Sequence, residues 1–342
     1  MFSCRTRGFC PSCHAKRVEE WGDWMRETLL LDVPHRQVVF TIPKMLRVFF
    51  KSKRRLLGDL CRCALRSLTR YFEVAAGTAI TPGAISAVQT FGDRINLHPH
   101  LHYLVTEGGE DEAGLFHKIP RIDDSRLAEI FAREVLAMLV RKELLSPEWA
   151  ERILSWRHTG FNVHSLVRAK TKPEAERVGK YMIRPVLSLE RLTFLEPEGK
   201  VGYRHGEKGA EQETMDYLEF IARVTSHIPD KGQVTVRYYG LSANAHRGKV
   251  RKAGSSPTAS VCTHGDDVSM SASPLWIAEE ELRRLPSKGW AALIRKPHRG
   301  LRSAALIRKP HRGLRSAALI RKVYEVDPMV CPQCGSLAVL KE

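Results

Sequence analysis

The segment INLHPHLHYLVTEGG, residues 95 to 109, constrains the fold of this chain more than any other stretch. It places a histidine at every second position inside an otherwise apolar run. Side chains of a β-strand alternate between its two faces, so the segment predicts a strand with a histidine face and an apolar face. The histidine face carries His98, His100 and His102. The apolar face carries Pro99, Leu101, Tyr103 and Val105.

Helical and strand patterns alternate on both sides of this segment. Apolar residues recur at helical spacing in five stretches, namely residues 14–30, 46–73, 125–145, 173–184 and 213–228. Alternating or continuous apolar runs predict further strands at residues 36–43, 84–91, 158–169 and 233–243. The strand at 84–91 leads through a turn into the histidine strand, as in a hairpin. This order predicts an α+β fold, an antiparallel sheet with flanking helices.

The cysteines bear on cellular compartment and on metal binding. Cys10 and Cys13 have C-x-x-C spacing, as do Cys331 and Cys334 in the sequence CPQC. The sequence has neither an apolar run long enough to span a membrane nor a signal peptide, so we expect a cytoplasmic protein without membrane partners. In such a protein these pairs indicate metal half-sites rather than disulfides.

The net charge of +17 indicates an anionic partner, although a repeat near the C-terminus inflates it. Residues 304–316 repeat residues 291–303 without a change, and residues 317–322 begin a third copy. We interpret residues 297–322 as a 26-residue insertion from a tandem duplication that adds no function. Without its eight arginines and lysines the chain keeps a charge of +9, which still favours nucleic acid as the partner.

Two short motifs carry candidate chemistry, and each also has a plainer interpretation. His100 and His102 can point at one ion, and neutral imidazole is a common metal ligand, but satisfied histidines remain equally open. On a helix, Arg177, Tyr181 and Arg184 share one face, where two guanidiniums could hold a phosphate. Taken alone, this second motif favours an ordinary amphipathic helix with a half-buried tyrosine and solvated arginines.

Taken together, NLHPHLHYLVTEGG and GKYMIRP resemble the HUH endonuclease arrangement of bacterial rolling-circle transposases, the insertion sequence ninety-one family. FSCRTRGFCPSCHAKR, VPHRQVVFTIPKMLR, WRHTGFNVHSLVRA, HIPDKGQVTVRYYGLSANAHRGKVRK and LIRKVYEVDPMVCPQCG resemble family stretches in the same order. The resemblance implies a DNA transposase with an HUH endonuclease core. It implies that the enzyme nicks single-stranded DNA at insertion-sequence ends and target, and transfers strands through a 5′-phosphotyrosine.

The resemblance also assigns roles to residues. His100 and His102 would bind Mg²⁺ or Mn²⁺, and Tyr181 would be the nucleophile. A third metal ligand would be Gln89, which we favour slightly, or His164. DNA contacts are expected from Arg177, Arg184, Arg247, Lys249, Arg251, Lys252 and the KSKRR cluster at 51–55. Bases would stack on Tyr238 or Tyr239.

The zinc-binding module of the family is expected here in truncated form. The family has a further cysteine pair upstream, whereas this chain begins three residues before Cys4. Cys10 and Cys13, with Cys4 or His14, would bind Zn²⁺ as the remnant of an N-terminal zinc ribbon. The expected domains are a partial zinc-binding module at 1–32, a nuclease core at 33–252, a flexible linker at 253–274, and a helical tail at 275–342 with the duplication and the CPQC half-site.

Two rival functions stay open. The chain could be a catalytically inactive DNA-binding remnant of a truncated transposase. It could also be a hydrolase that uses the histidines and a metal ion to activate water, without a covalent protein–DNA intermediate. Tyr181 distinguishes the transposase from both rivals, because only the transposase depends on it. For that transposase we expect a cytoplasmic location with association to the nucleoid.

Overall fold

The computed structural model describes residues 11–206, 209–252 and 261–262. The strands are β1 (His35–Thr41), β2 (Thr81–Phe91), β3 (Leu97–Glu110), β4 (Phe116–Lys118), β5 (Asn162–His164), β6 (Arg168–Ala169), β7 (Leu192–Leu195), β8 (Lys200–His205), β9 (Glu211–Asp216), β10 (Val236–Gly240) and β11 (Val261–Cys262). The α-helices are α1 (Pro11–Trp24), α2 (Arg47–Ser52), α3 (Leu56–Ala76), α4 (Asp124–Arg141), α5 (Pro147–Leu154), α6 (Lys172–Met182), α7 (Tyr217–Thr225) and α8 (Asn244–Lys252). A π-helical turn, Met25–Leu29, continues α1.

One mixed sheet organises the described part of the chain. Its central order is β10-β2-β3-β1-β5, with β6 also beside β1, β4 beside β3 and β11 beside β4. The pairs along this central order are antiparallel. The histidine strand β3 therefore lies in the middle of the sheet, between β2 and β1. The α+β class with an antiparallel sheet and flanking helices is confirmed.

Helices cover both faces of this sheet, and the two faces of β3 pack into different clusters. Leu101, Tyr103 and Val105 are buried with apolar residues of α3, α4 and α5. Leu104, on the histidine face, is buried with residues of α1, the π-helical turn and α6. The alternation predicted from the sequence is thus confirmed, because successive residues of β3 enter opposite layers.

The hairpin of β2 and β3 sets which residues lie beside the histidines. In its register Gln89 lies opposite His100, and Ala87 lies opposite His102. On the other side, β1 places Thr41 opposite His100 and Val39 opposite His102. Directly paired residues point to the same face of a sheet, so Gln89 shares the histidine face.

A second, three-stranded sheet of order β7-β8-β9 lies beside the main sheet and was not predicted. Residues 213–228 were expected to form one helix, but residues up to Asp216 belong to β9 and only α7 is helical. Asp216 caps α7 by accepting a hydrogen bond from the Leu218 amide. This sheet packs with α7 around Val201, Met215 and Phe220.

Other predicted elements are confirmed with changed boundaries. The long helix expected at 46–73 is divided into α2 and α3 by a break at residues 53–55. The strand expected at 158–169 forms only the short strands β5 and β6. The predicted linker, the duplication and the CPQC half-site fall outside the described residues apart from the two that form β11. None of the helices in the described part of the chain has the length and apolar character that a bilayer crossing requires.

Candidate nucleic-acid-processing site

His100 and His102 are both buried, 8% and 5% exposed, and their rings lie 4.9 Å apart between centroids. Burial lowers the pKa of His100 to about 4 and that of His102 to about 3. Both imidazoles are therefore neutral near pH 7, which is the form that binds metal ions.

Hydrogen bonds select the ring nitrogen that His100 leaves free. Its Nδ1 lies 2.7 Å from the carbonyl oxygen of His98. Because a carbonyl only accepts, Nδ1 carries the proton and Nε2 keeps its lone pair. This arrangement is typical of metal-binding histidines, whose second nitrogen donates to a backbone carbonyl or carboxylate.

The Nδ1 of His102 lies 3.0 Å from the Nε2 atom of Gln37 on β1. The Nε2 of His102 is buried and has no hydrogen-bond partner among the described residues. An amide side chain can present either its oxygen or its nitrogen, so Gln37 can support His102 with the proton on either ring nitrogen. Gln37 was missed in the sequence, where its signal is one amide inside the apolar strand QVVFT.

Gln89 has the geometry of a further ligand. Its Nε2 donates to the carbonyl of Met182 at 2.7 Å, while its buried Oε1 has no partner among the described residues. The same part of the chain contains no group of three or more His, Cys, Asp and Glu residues that could hold a metal ion. Beside the two histidines, Gln89 Oε1 is a neighbouring oxygen atom of another residue type. A divalent cation fits the orphaned atoms of His102 and Gln89.

The second candidate ligand, His164, lies on β5 and pairs with Val39. It shares the histidine face but is exposed and separated from His102 by the whole width of β1. Gln89, by contrast, is a direct neighbour of His100. The geometry therefore favours Gln89.

Helix α6 brings Tyr181 to the histidine pair. Thr171 caps the helix by accepting from the Glu174 amide, and the helix ends at Met182, before Pro185, as the sequence predicted. The Tyr181 ring lies 6.0 Å from the His102 ring at an interplanar angle of 89°. Tyr181 is 50% exposed, so its hydroxyl is open to a ligand from solvent.

The predicted arginines surround this tyrosine. The Arg184 guanidinium carbon lies 4.9 Å from the centroid of the Tyr181 ring and 5.8 Å from that of Phe91. Arg177 is exposed on the same helix, one turn before Tyr181. The site thus combines two neutral imidazoles, one accessible phenol and two cations.

The N-terminal helix α1 and its π-helical turn hold α6 in place. His14 Nε2 donates to the carbonyl oxygen of Ile183 at 2.6 Å, and Arg26 donates to Glu176 at 2.8 Å. At Gly179 a Cβ atom would lie 2.5 Å from the Met25 methyl carbon, so glycine permits this close approach. The segment that follows the N-terminal cysteines therefore positions the tyrosine helix.

Other predicted site residues lie elsewhere or outside the described region. Cys4 and Cys10 precede the described residues, and Cys13 lies within α1. The expected basic loop at 247–252 is helical, as part of α8, where Lys249 and Lys252 are exposed and Arg251 follows in the same helix. The Arg247 guanidinium lies over the Trp24 ring at 5.3 Å.

The expectation that bases stack on Tyr238 or Tyr239 is wrong. The two side chains are 3% and 0% exposed. Tyr238 accepts a hydrogen bond from Trp21 at 2.8 Å, and Tyr239 stacks on Tyr103. Because helices cover both faces of β10, neither ring can receive a base.

Comparison with known proteins agrees with this geometry. Residues 83–249 match the family model described as "Putative transposase", and residues 1–42 match that of the "Transposase zinc-binding domain". The first match contains Gln89, both histidines and Tyr181. The second contains the N-terminal cysteines and α1. No solved structure gives a significant match.

Two curated relatives are both bacterial. The "Transposase for insertion sequence element IS801" of Pseudomonas savastanoi pv. phaseolicola is 29% identical over 71% of this chain and 62% of its own length. The "Putative transposase y4qJ" of Sinorhizobium fredii is 26% identical over 72% of this chain and 67% of its own length. The chain therefore spans less than two thirds of the first relative. Together the matches show that this chain is similar to transposases of the insertion sequence ninety-one family.

Proposed function

We propose that this chain is a DNA transposase that nicks and transfers single-stranded DNA through Tyr181. The observation that carries the proposal is the contact of an accessible phenol with His102, one of two neutral, buried imidazoles, whose Nε2 has no hydrogen-bond partner among the described residues. The similarity to transposases supports DNA as the substrate, and the basic charge supports an anionic partner.

The proposed metal ligands are His100 Nε2, His102 Nε2 and Gln89 Oε1. A bound Mg²⁺ or Mn²⁺ would polarise the scissile phosphate as a Lewis acid. The residues themselves have separate tasks. His98 and Gln37 hold the ring nitrogens that face away from the site, and the Met182 carbonyl holds the Gln89 amide. Zn²⁺ would bind separately, at Cys10 and Cys13.

The proposed chemical step conserves the energy of the phosphodiester. Tyr181 Oη attacks phosphorus, so that an Oη–P bond forms while the bond from phosphorus to the 3′-oxygen breaks. The phenol gives up its proton and the departing 3′-oxygen takes one up. The products are a 5′-phosphotyrosine and a free 3′-OH, and attack by another 3′-OH reverses the step and joins strands without a nucleotide cofactor.

The test is to incubate purified protein and Mn²⁺ with single-stranded oligonucleotides from the ends of the DNA element that encodes it. A denaturing gel then reveals any protein–DNA adduct. We expect an adduct with the unmodified chain, none with Tyr181→Phe, and an unchanged yield with Tyr71→Phe, a matched control on α3.

The outcomes separate the rival functions. Nicking without an adduct, unaffected by Tyr181→Phe, would identify a hydrolase that activates water. DNA binding with neither nicking nor adduct, from folded and metal-loaded protein, would identify an inactive remnant of a transposase.

A further inference from the structure

Arg47, to which neither the sequence patterns nor the family resemblance assigned a role, lies near His98 and His100. It is the first residue of α2, which packs against β3. Strand β1 ends at Thr41, which pairs with His100, so the chain passes from His100's neighbour to Arg47 within six residues. The positive charge of Arg47 acts on both His98 and His100.

Arg47 and Arg184 approach from opposite sides of β3. Arg184 follows α6 and lies over Phe91, the last residue of β2. Arg47 follows β1, which flanks β3 on the other side. The positive charges of both arginines act on His100, so both guanidiniums lie within electrostatic range of this histidine.

Neither guanidinium is neutralised within the described part of the chain. The Nε atoms of Arg47 and Arg184 are buried without a hydrogen-bond partner there. Arg36, on the same sheet, also has a buried Nε without a partner, but it differs from both in its ion pair with buried Glu107 at 2.8 Å and its hydrogen bond to the Ser165 carbonyl. Both side chains are partly exposed, so guanidiniums without a carboxylate partner in this part of the chain can bind an anion from outside.

We propose that Arg47 and Arg184 bind one DNA backbone phosphodiester from its two sides and hold it over the histidine pair. The inference rests on the proposed function, because it takes this phosphodiester to be the one that Tyr181 attacks. The guanidinium fork matches phosphate oxygens and can donate two hydrogen bonds to them. Arg47 is thus a substrate-positioning residue across the site from the nucleophile.

The experiment measures binding without chemistry, in a Tyr181→Phe background. A set of single-stranded oligonucleotides carries one uncharged methylphosphonate each, at successive backbone positions. Arg47→Gln is expected to weaken binding of the unmodified oligonucleotide by about tenfold to a hundredfold, as for loss of a charge-assisted hydrogen bond. When the methylphosphonate replaces the phosphate that the two arginines bind, the effect of Arg47→Gln on binding should fall to about twofold or less.

Matched variants distinguish binding of one phosphate by both arginines from non-specific attraction between DNA and positive charge. The effect of Arg184→Gln on binding should disappear at the same methylphosphonate position as the effect of Arg47→Gln. Lys51→Gln removes an exposed cation from the same helix, and its small effect should not depend on the position of the methylphosphonate. Arg47→Lys keeps the charge and should retain more affinity than Arg47→Gln, which checks that the glutamine variant is not merely misfolded.

Each contrary result has its own meaning. The proposal that both arginines bind one phosphodiester is wrong if no methylphosphonate position cancels the effect of Arg47→Gln on binding. It is also wrong if the effects of Arg47→Gln and Arg184→Gln are cancelled at different positions, even when a Tyr181 adduct forms. If the phosphate contacts are found but no adduct forms with an intact Tyr181, the nicking function fails while the binding site stands. Failure to bind any oligonucleotide overturns both.

Discussion

The two faces of β3 consist of alternate residues of one strand, yet they bury different chemical groups. On the apolar face the fully buried Tyr103 donates its hydroxyl to the Cys61 carbonyl at 2.6 Å. On the histidine face His102 Nε2 and Gln89 Oε1 are buried without partners among the described residues. Such an atom costs about 1–3 kcal/mol. The difference teaches that one face stabilises the fold while the other keeps unused bonding capacity for a ligand.

The largest expected effect comes from the histidine face. His100→Ala should lower the rate of adduct formation at least about a thousandfold, or about 4 kcal/mol in activation free energy. The melting temperature should change little, because the imidazole contributes a ligand rather than core packing. Adduct yield on a denaturing gel and a thermal melt measure the two. If His100→Ala keeps a tenth of the rate of adduct formation, the histidine face does not have the catalytic role that distinguishes it from the apolar face.

The apolar face should respond in the opposite way. Leu101→Ala removes a side chain that is 0% exposed and should lower the free energy of unfolding by about 2–5 kcal/mol. Urea denaturation measures this loss, and adduct formation per folded molecule should stay near that of the unmodified chain. Leu166→Ala, at a side chain 73% exposed, is the control and should change stability by no more than about 0.5 kcal/mol.

Gln37 offers a smaller effect that sharpens the comparison from the neighbouring strand. Gln37→Leu removes the group beside His102 Nδ1 and should weaken Mn²⁺ binding about tenfold to a hundredfold, as titration calorimetry can measure. Gln37→Glu keeps an acceptor for the ring N–H and should retain affinity. Equal loss in both variants would mean that Gln37 only packs.

Acid should affect a buried histidine that has no proposed metal role. Burial lowers the pKa of His35 from 6.5 to about 4. The unfolded chain therefore binds the extra proton first, so stability is complete above pH 6.5 and falls towards pH 4 by about 1.4 kcal/mol per unit. His35→Phe should make urea midpoints between pH 6.5 and 5.5 less pH-dependent. An unchanged slope would show that other groups cause the acid sensitivity.

The alternation within β3 and the end of α6 before Pro185 could be predicted because each depends on local spacing. The presence of Gln37 and Arg47 near the histidines could not. These two residues reach the site through strand pairing and chain reversal, which local periodicity does not encode. Residues 213–216 were assigned to a helix together with the apolar pattern that follows them, whereas pairing with β8 makes them a strand.

Tyr238 and Tyr239 were misjudged for a related reason. Their strand lies at one end of the central order of the sheet, and an edge strand with two aromatic residues is compatible with an open binding surface. Only the packing of helices on both faces buries them. The exposure of side chains on an edge strand depends on which other elements pack against it. The sequence of the five residues of β10 does not indicate this packing.

The turn between β2 and β3, residues 92–96, sets the register of the hairpin. One residue added there would move every following side chain of β3 to the opposite face. The histidines would then enter the apolar layer, and Leu101 and Tyr103 would face the tyrosine helix. Copies of this gene that decay by such a frame-preserving insertion should be lost as proteins altogether. Inactive copies that still fold should therefore carry substitutions in this hairpin and conserve its length.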